Sequence, residues 1–362
     1  MGAAQPRAAQ PRVERPRVET TVATDRAAAR EPGRRAATAR RLARLPDEGR
    51  ATAWCALVVL AVVSVVLGCR ALDTDGITPV PQLLAFLPWL LVPALLGLLL
   101  SVAARWPLGC GWALLATAVT GWFIQPYDPG PASAPDGPVV ARLRVLTANL
   151  EFGQATDGLL TALRRERPDV VSVQECDAGC ADALGSAAVR RAYPYRIIVT
   201  GSPAEGSAIL SNRPLTRERD VPGELSMPGA VARIAGVTLR LQVAHPMPPM
   251  PGQLDVWRTE LGRLRTYAAG RGDQPTLIAG DFNATQDHAA FRELLDTGMR
   301  DSARATGVSR TPSWPSTTTP VLGAQIDHVL VSDALRPRTA RFLDLRNTDH
   351  RALLVDLDLH AG

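Results

Sequence analysis

Four stretches of the chain differ in how apolar and polar residues alternate. Residues 1–50 have no apolar periodicity and consist largely of Ala, Arg and Pro, so they are expected to form a disordered, solvated tail. Three charge-free apolar runs follow: Ala51–Cys69, Pro79–Ala104 and Trp106–Ile124. Each approaches the roughly 20 residues needed to cross a bilayer, which predicts three transmembrane helices within residues 51–124. Pro88 and Pro93 are expected to kink the second helix. Trp54, Trp106 and Trp122, near the ends of the runs, are expected at the membrane surface. Residues 125–141 are rich in Pro and Gly and read as an extended linker, with a reach of about 50 Å at about 3.1 Å per residue.

Residues 142–362 switch to short strand-like runs mixed with amphipathic stretches. Strands are expected over Leu143–Ala148, Val170–Gln174, Tyr195–Val199, Ser207–Ser211 and Ala230–Ile234. More follow over Thr238–Ala244, Thr276–Ala279, Ile326–Val331, Thr339–Leu343 and Ala352–Leu357. Helices are expected over Ala155–Glu166, Ala178–Ala188, Gln253–Ala269 and Asp287–Asp296. This mixture suits an α/β domain of two packed sheets with helices outside.

Charge sharpens the division. The net charge is +5, yet residues 1–50 hold 12 Arg against 6 acids and residues 142–362 hold 26 Arg against 25. The basic excess thus belongs to the tail, and the nearly neutral domain lacks the broad cationic footprint of a nucleic-acid binder. By the positive-inside rule the tail stays in the cytoplasm; three crossings then place the domain outside the cell membrane. The chain has no Lys, which excludes a Gly-Lys-Ser/Thr phosphate loop and Schiff-base chemistry. Cys176 and Cys180 stand four residues apart. A disulfide and two free thiols both fit that spacing; zinc does not, because no second Cys or His pair lies nearby.

The chemistry lies where strands end. Thr276–Ala279 runs into Gly280-Asp281-Phe282-Asn283, and in extended backbone the i, i+2 spacing aims Asp281 and Asn283 to one side. A carboxylate that orients water beside a carboxamide donor suits phosphoester hydrolysis. Glu175 follows Val170–Gln174, Asn149 follows Val145-Leu146-Thr147-Ala148, and His245 ends the strand Thr238–Ala244. His245 also opens the loop His245-Pro246-Met247-Pro248-Pro249-Met250-Pro251, a stiff segment suited to an apolar substrate lip. His350 follows Asp349, and either Asp327 or Asp349 is placed to fix its tautomer.

In this order, and with Gly280-Asp281-Phe282-Asn283 and Thr348-Asp349-His350 as the most specific motifs, residues 142–360 resemble the endonuclease/exonuclease/phosphatase superfamily. The resemblance implies a four-layer α/β sandwich. It also implies that Glu175 and Asp349 bind a divalent metal, Mg²⁺ with Mn²⁺ as the alternative, with Asn149 beside them at the metal or the phosphate. Asp281 would activate the attacking water, Asn283 would steady that arrangement or a phosphate oxygen, and Asp327 would buttress His350 at the scissile phosphate. His245 would donate to a phosphate oxygen or the leaving group. Where the family often has Asp-Tyr this chain has Asp327-His328, so His328 inherits no role.

The layout, Leu146–Gly153, the His-Pro-Met-Pro-Pro loop and Ala324–His328 further resemble actinomycete membrane proteins linked to teicoplanin-type glycopeptide resistance. That likeness implies an exported phosphohydrolase at the bilayer, acting on a lipid-linked phosphate such as undecaprenyl pyrophosphate. A surface nuclease on extracellular DNA, a sphingomyelinase-type lipid phosphodiesterase and a degenerate envelope scaffold are the alternatives.

Overall fold

The computed structural model describes residues 47–128, 137–318 and 322–361. Most of the tail and part of the linker therefore lie outside the described residues.

The apolar region forms two helices long enough to cross a bilayer, α1 (Asp47–Ala71) and the last of the region, Pro107–Ile124, rather than the three expected. The middle run is broken into α2 (Val80–Ala85), a 3₁₀ turn (Leu87–Leu90) and α3 (Leu91–Ala103). Pro88 is the physical reason: it has no N–H to donate, and its ring clashes with the carbonyl one turn back. Pro93 falls in the first turn of α3, where a missing N–H costs nothing. The unbroken part, Leu87–Ala103, spans about 25 Å at about 1.5 Å per residue, short of a hydrocarbon core of about 30 Å. Arg105, with φ +53°, turns the chain from α3 into α4 (Pro107–Ile124). Trp54 and Trp122 are exposed, but Trp106 is buried in the helix packing and is no surface anchor.

The remainder folds as two six-stranded sheets. Strands β1 (Val139–Asn149), β2 (Val170–Gln174), β3 (Tyr195–Val199), β4 (Ser207–Ser211), β11 (Leu335–Asp344) and β12 (Arg351–His360) form the first, in the order β11-β12-β1-β2-β4-β3. The second comprises β5 (Leu215–Val221), β6 (Met227–Ile234), β7 (Val237–Ala244), β8 (Thr276–Asp281), β9 (Arg300–Asp301) and β10 (Asp327–Val331), in the order β5-β6-β7-β8-β10-β9. Within these sheets only the β1–β2 and β7–β8 pairings are parallel. Val145, Leu353 and Val355 of the first sheet meet Leu241, Val243 and Ala279 of the second in one buried core. Helices α5 (Thr156–Glu166), α6 (Ala178–Leu184) and α7 (Ala187–Ala192) cover the first sheet. α8 (Leu254–Ala269) and α9 (Ala289–Leu295) cover the second, and the four-residue α10 (Ser302–Ala305) follows β9. The expected helix Ala178–Ala188 is thus two, because Gly185-Ser186 ends one and Ser186 Oγ accepts from Val189 N to cap the next.

Candidate active site

The topology brings the strand-end residues to one rim. Because β1 and β2 run parallel, as do β7 and β8, each pair finishes on a shared edge. β12 is antiparallel to β1 and β10 to β8, so these two strands begin there. Asn149, Glu175, His245, Asp281, Asp327 and His350 therefore converge, all buried except the half-buried Glu175. Gly280 is required for this convergence: a Cβ there would stand 1.9 Å from Ala244 O, where β7 and β8 close up.

Asn149 stitches the sheets together. Its Nδ2 donates to Glu175 Oε1 (3.0 Å) on one sheet and to Asp281 Oδ2 (3.1 Å) on the other. Four non-glycine residues here have left-handed backbones: Glu151 with φ +45°, Phe152 with φ +59°, Glu175 with φ +55° and Asn283 with φ +48°. Such conformations cost about 1–3 kcal/mol each and persist only where the surroundings hold them. Phe152 N donates to Glu175 Oε2 (2.9 Å), and Asn283 N donates to Asp281 Oδ1 (2.8 Å). The Asn283 side chain donates to Pro246 O (3.0 Å), so it steadies the His245 loop.

His350 pairs with Asp327, not Asp349: its Nδ1 lies 2.9 Å from Asp327 Oδ2. Its Nε2 faces Asp281 Oδ2 at 3.8 Å and Asp349 Oδ1 at 3.7 Å. Burial works against the charged ring, but Asp327 and Asp281 overcome it and lift His350 to about 10. Burial, with the positive His350 beside it, pushes His245 down to about 3 although Glu175 Oε1 is 3.8 Å away. One imidazole is thus held charged and the other neutral. Burial raises Asp281 well above the ordinary carboxylate range and also raises Glu175.

Those two raised carboxylates test the fit of a cation. Glu175, Asp281 and Asp349 face one pocket with a single positive ring among them, and their oxygens suit a hard divalent ion. Among the described residues the tightest acid and imidazole group is Asp281, Asp327 and His350, whose ligand atoms lie within 4.8 Å of one another. Asp327 and His350 are already spent on each other, which leaves the carboxylates of Asp281, Glu175 and Asp349, each steadied by N–H donors of neighbouring residues, as the oxygens around it.

Two residues of this pocket escape a reading of strand ends. Glu151 Oε2 accepts from Asp349 N (2.7 Å), and Glu151 N donates to Asn149 Oδ1 (3.0 Å). The same i, i+2 polar spacing that marks Asp281 and Asn283 also joins Asn149 and Glu151, and would have found it. Trp314 Nε1 donates to Asp349 Oδ2 (2.7 Å), and nothing in the local sequence announces that. His328 is structural, as expected: Nδ1 meets Asp301 Oδ2 and Nε2 meets Ala284 O, each at 3.0 Å. Cys176 and Cys180 are joined in a disulfide just behind Glu175.

The polar rim floors a cavity of about 690 Å³. Its walls are apolar: Phe152, Leu225, Trp314, Ile326 and the loop Met247–Pro251. Gln82, Ala85 and Phe86, from the broken apolar segment, complete them. In fold the chain is similar to humanised D. rerio TDP2 carrying 14 mutations, at 16% identity and a TM-score of 0.51, with 60% of this chain and 99% of that one covered. A second similar structure is D. rerio TDP2 complexed with single strand DNA product, at 17% identity and a TM-score of 0.50, with the same 60% and 99% coverage. No curated protein matches the sequence. The model of one family, described as endonuclease/exonuclease/phosphatase, matches residues 146–350, more than half of the chain, and to that family of metal-dependent phosphoesterases and nucleases this chain belongs.

Proposed function

We propose that the protein is a membrane-anchored, divalent-metal-dependent phosphohydrolase acting on a lipid-linked phosphate or pyrophosphate, such as undecaprenyl pyrophosphate. The observation that carries this reading is the pocket: an acid and imidazole floor under apolar walls, one of them taken from the apolar N-terminal region. A water-soluble phosphoester would leave those walls wet, whereas a phosphate on an apolar chain would cover them. Val58, Val62 and Val65 of α1 and Leu95, Leu99 and Val102 of α3 are exposed, apolar side chains of the kind a lipid contact would cover. α1 and α4 both end against the catalytic domain, through Arg70 and through Phe123 and Ile124. α1 therefore begins at the far end of the bundle, and with an arginine-rich sequence before it this supports a catalytic domain on the outer side of the bilayer.

Asp281 orients the attacking water through Oδ2 and takes its proton, a step favoured by its raised basicity. Asn283 N holds the other oxygen of Asp281 and so fixes the carboxylate plane. His350, kept positive by Asp327, donates from Nε2 to a phosphoryl oxygen, and the neutral His245 offers one N–H to the leaving oxygen. Glu175 and Asp349, with Asp281 nearby, would hold the divalent ion, which when bound neutralises charge on the phosphoryl oxygens.

TDP2 with its single strand DNA product makes nuclease activity the second reading, against which the near-equal charge of residues 142–362 counts. The test gives the detergent-purified chain Mg²⁺ with undecaprenyl pyrophosphate and single-stranded DNA in parallel, reading phosphate release from the first and strand cleavage of the second. Release from the lipid that vanishes in Asp281→Ala is the expected result. Cleaved DNA beside intact lipid would overturn it.

A further inference from the structure

The connection from α1 into α2, and α2 itself, are tied to the catalytic domain by more than contact. Asp75, fully buried, accepts from Ala290 N (3.0 Å) and pairs with Arg258 (3.3 Å). Asp73 pairs with Arg292. Thr285 N donates to His288 Nδ1 (2.8 Å), so His288 Nε2 carries the proton and donates to Pro81 O (2.8 Å). Gln82 Nε2 donates to Pro249 O in the middle of the Met247–Pro251 loop. That loop is itself pinned, because the buried Glu260 carboxylate accepts from Met247 N at 2.7 Å.

These bonds hold Phe86 with its ring centroid 6.4 Å from that of Trp314, whose Nε1 grips Asp349 on the floor. Phe86 is also where α2 gives way to the 3₁₀ turn leading into α3, so one short stretch runs from the pocket into the apolar bundle. The walls here are the Ala85 methyl and the Phe86 ring, with the Gln82 amide nitrogen bonded to Pro249 O of the facing loop.

We infer that Gln82, Ala85 and Phe86 form a chain-binding subsite, in which Phe86 packs on the first part of an apolar chain attached to the scissile phosphate and so selects lipid-linked over water-soluble substrates. This rests on the phosphohydrolase reading and deepens it. A polyprenyl and a fatty-acyl chain share the chemistry the subsite requires, so both belong in the test.

The full-length chain in detergent is given three substrates with Mg²⁺: a long polyprenyl pyrophosphate, a diacylglycerol pyrophosphate and the short water-soluble isopentenyl pyrophosphate. The readout is the ratio of kcat/KM for each long chain to that for the short one. Phe86→Ala is expected to lower the ratio about tenfold for the chain the subsite takes, and Phe86→Leu to restore most of it. Which long chain shows the drop identifies the source. An equal loss on long and short substrates in both variants would make Phe86 a structural residue and overturn the subsite while leaving the phosphohydrolase standing. A wild-type protein that releases phosphate from none of the three would overturn the reading beneath it.

Discussion

The floor and the walls of the pocket are held in opposite ways. On the floor, most of the polar side chains are fixed by hydrogen bonds between strand ends, as where Asn149 joins Glu175 to Asp281 and Asp327 fixes His350. The walls are apolar surfaces from distant parts of the chain, held by a few anchors such as Gln82 on Pro249 and the Glu260 carboxylate on Met247 N. Over-determined polar geometry is what bond-making needs, because a small misplacement there is costly. Apolar contact tolerates displacement and discriminates by area. The floor thus sets the reaction and the walls set the substrate, and damage to each should show different symptoms.

The largest effect belongs to the floor. Asp281→Asn keeps the shape and removes the proton acceptor, so kcat should fall about a thousandfold for every substrate alike. Removing divalent cations with a chelator should likewise silence all substrates, with activity returning on Mg²⁺ addition. A variant that spared one substrate would break the division of labour.

Between floor and walls lies the joint to the apolar helices. Arg310 forks onto the fully buried Asp287 at 2.6 and 2.9 Å and also donates to Phe123 O and Ile124 O at 2.8 Å, capping α4. Arg310→Ala would leave that carboxylate with only Arg70, 3.7 Å away. The expected cost is about 3 kcal/mol, read as a lower Tm of the detergent-purified protein. An unchanged Tm would mean the two regions are not braced here.

A smaller effect follows from pH. His245 is held at about 3 in the folded chain against an ordinary value of 6.5, so the unfolded chain binds the extra proton between those values. Stability should therefore be full above pH 6.5 and fall as pH drops toward 3, by about 2 kcal/mol at pH 5. His245→Gln should flatten that part of the profile in chelator. The wild-type and variant curves staying parallel would place the proton elsewhere.

The same contrast explains what the sequence discloses. Floor residues are legible because each borders an apolar run, so the expected strands Val170–Gln174 and Ser207–Ser211 coincide with those observed. Strand Leu215–Val221 was not expected, since Leu-Thr-Arg-Glu-Arg-Asp-Val has the charged composition of a sheet edge. Hydropathy over-reads the middle apolar run because it registers composition and not the backbone break at Pro88. Phe86 and Trp314 carry no local mark at all; only the fold brings residues so far apart in sequence together.

Trp314 belongs to both parts, and its substitution gives the finest test. Its ring forms wall beside Phe86, while its Nε1 donates to Asp349 Oδ2 at 2.7 Å. Trp314→Phe keeps most of the ring and deletes only the donor. Partners of this kind orient a metal-binding carboxylate, and their loss typically costs about 10- to 100-fold in metal affinity. The Mg²⁺ concentration giving half-maximal activity should rise about tenfold, while the preference for long chains stays nearer wild type than in Phe86→Ala. Should Trp314→Phe shift chain preference and leave the metal requirement alone, Trp314 would act as wall only, and the floor would end at Asp349.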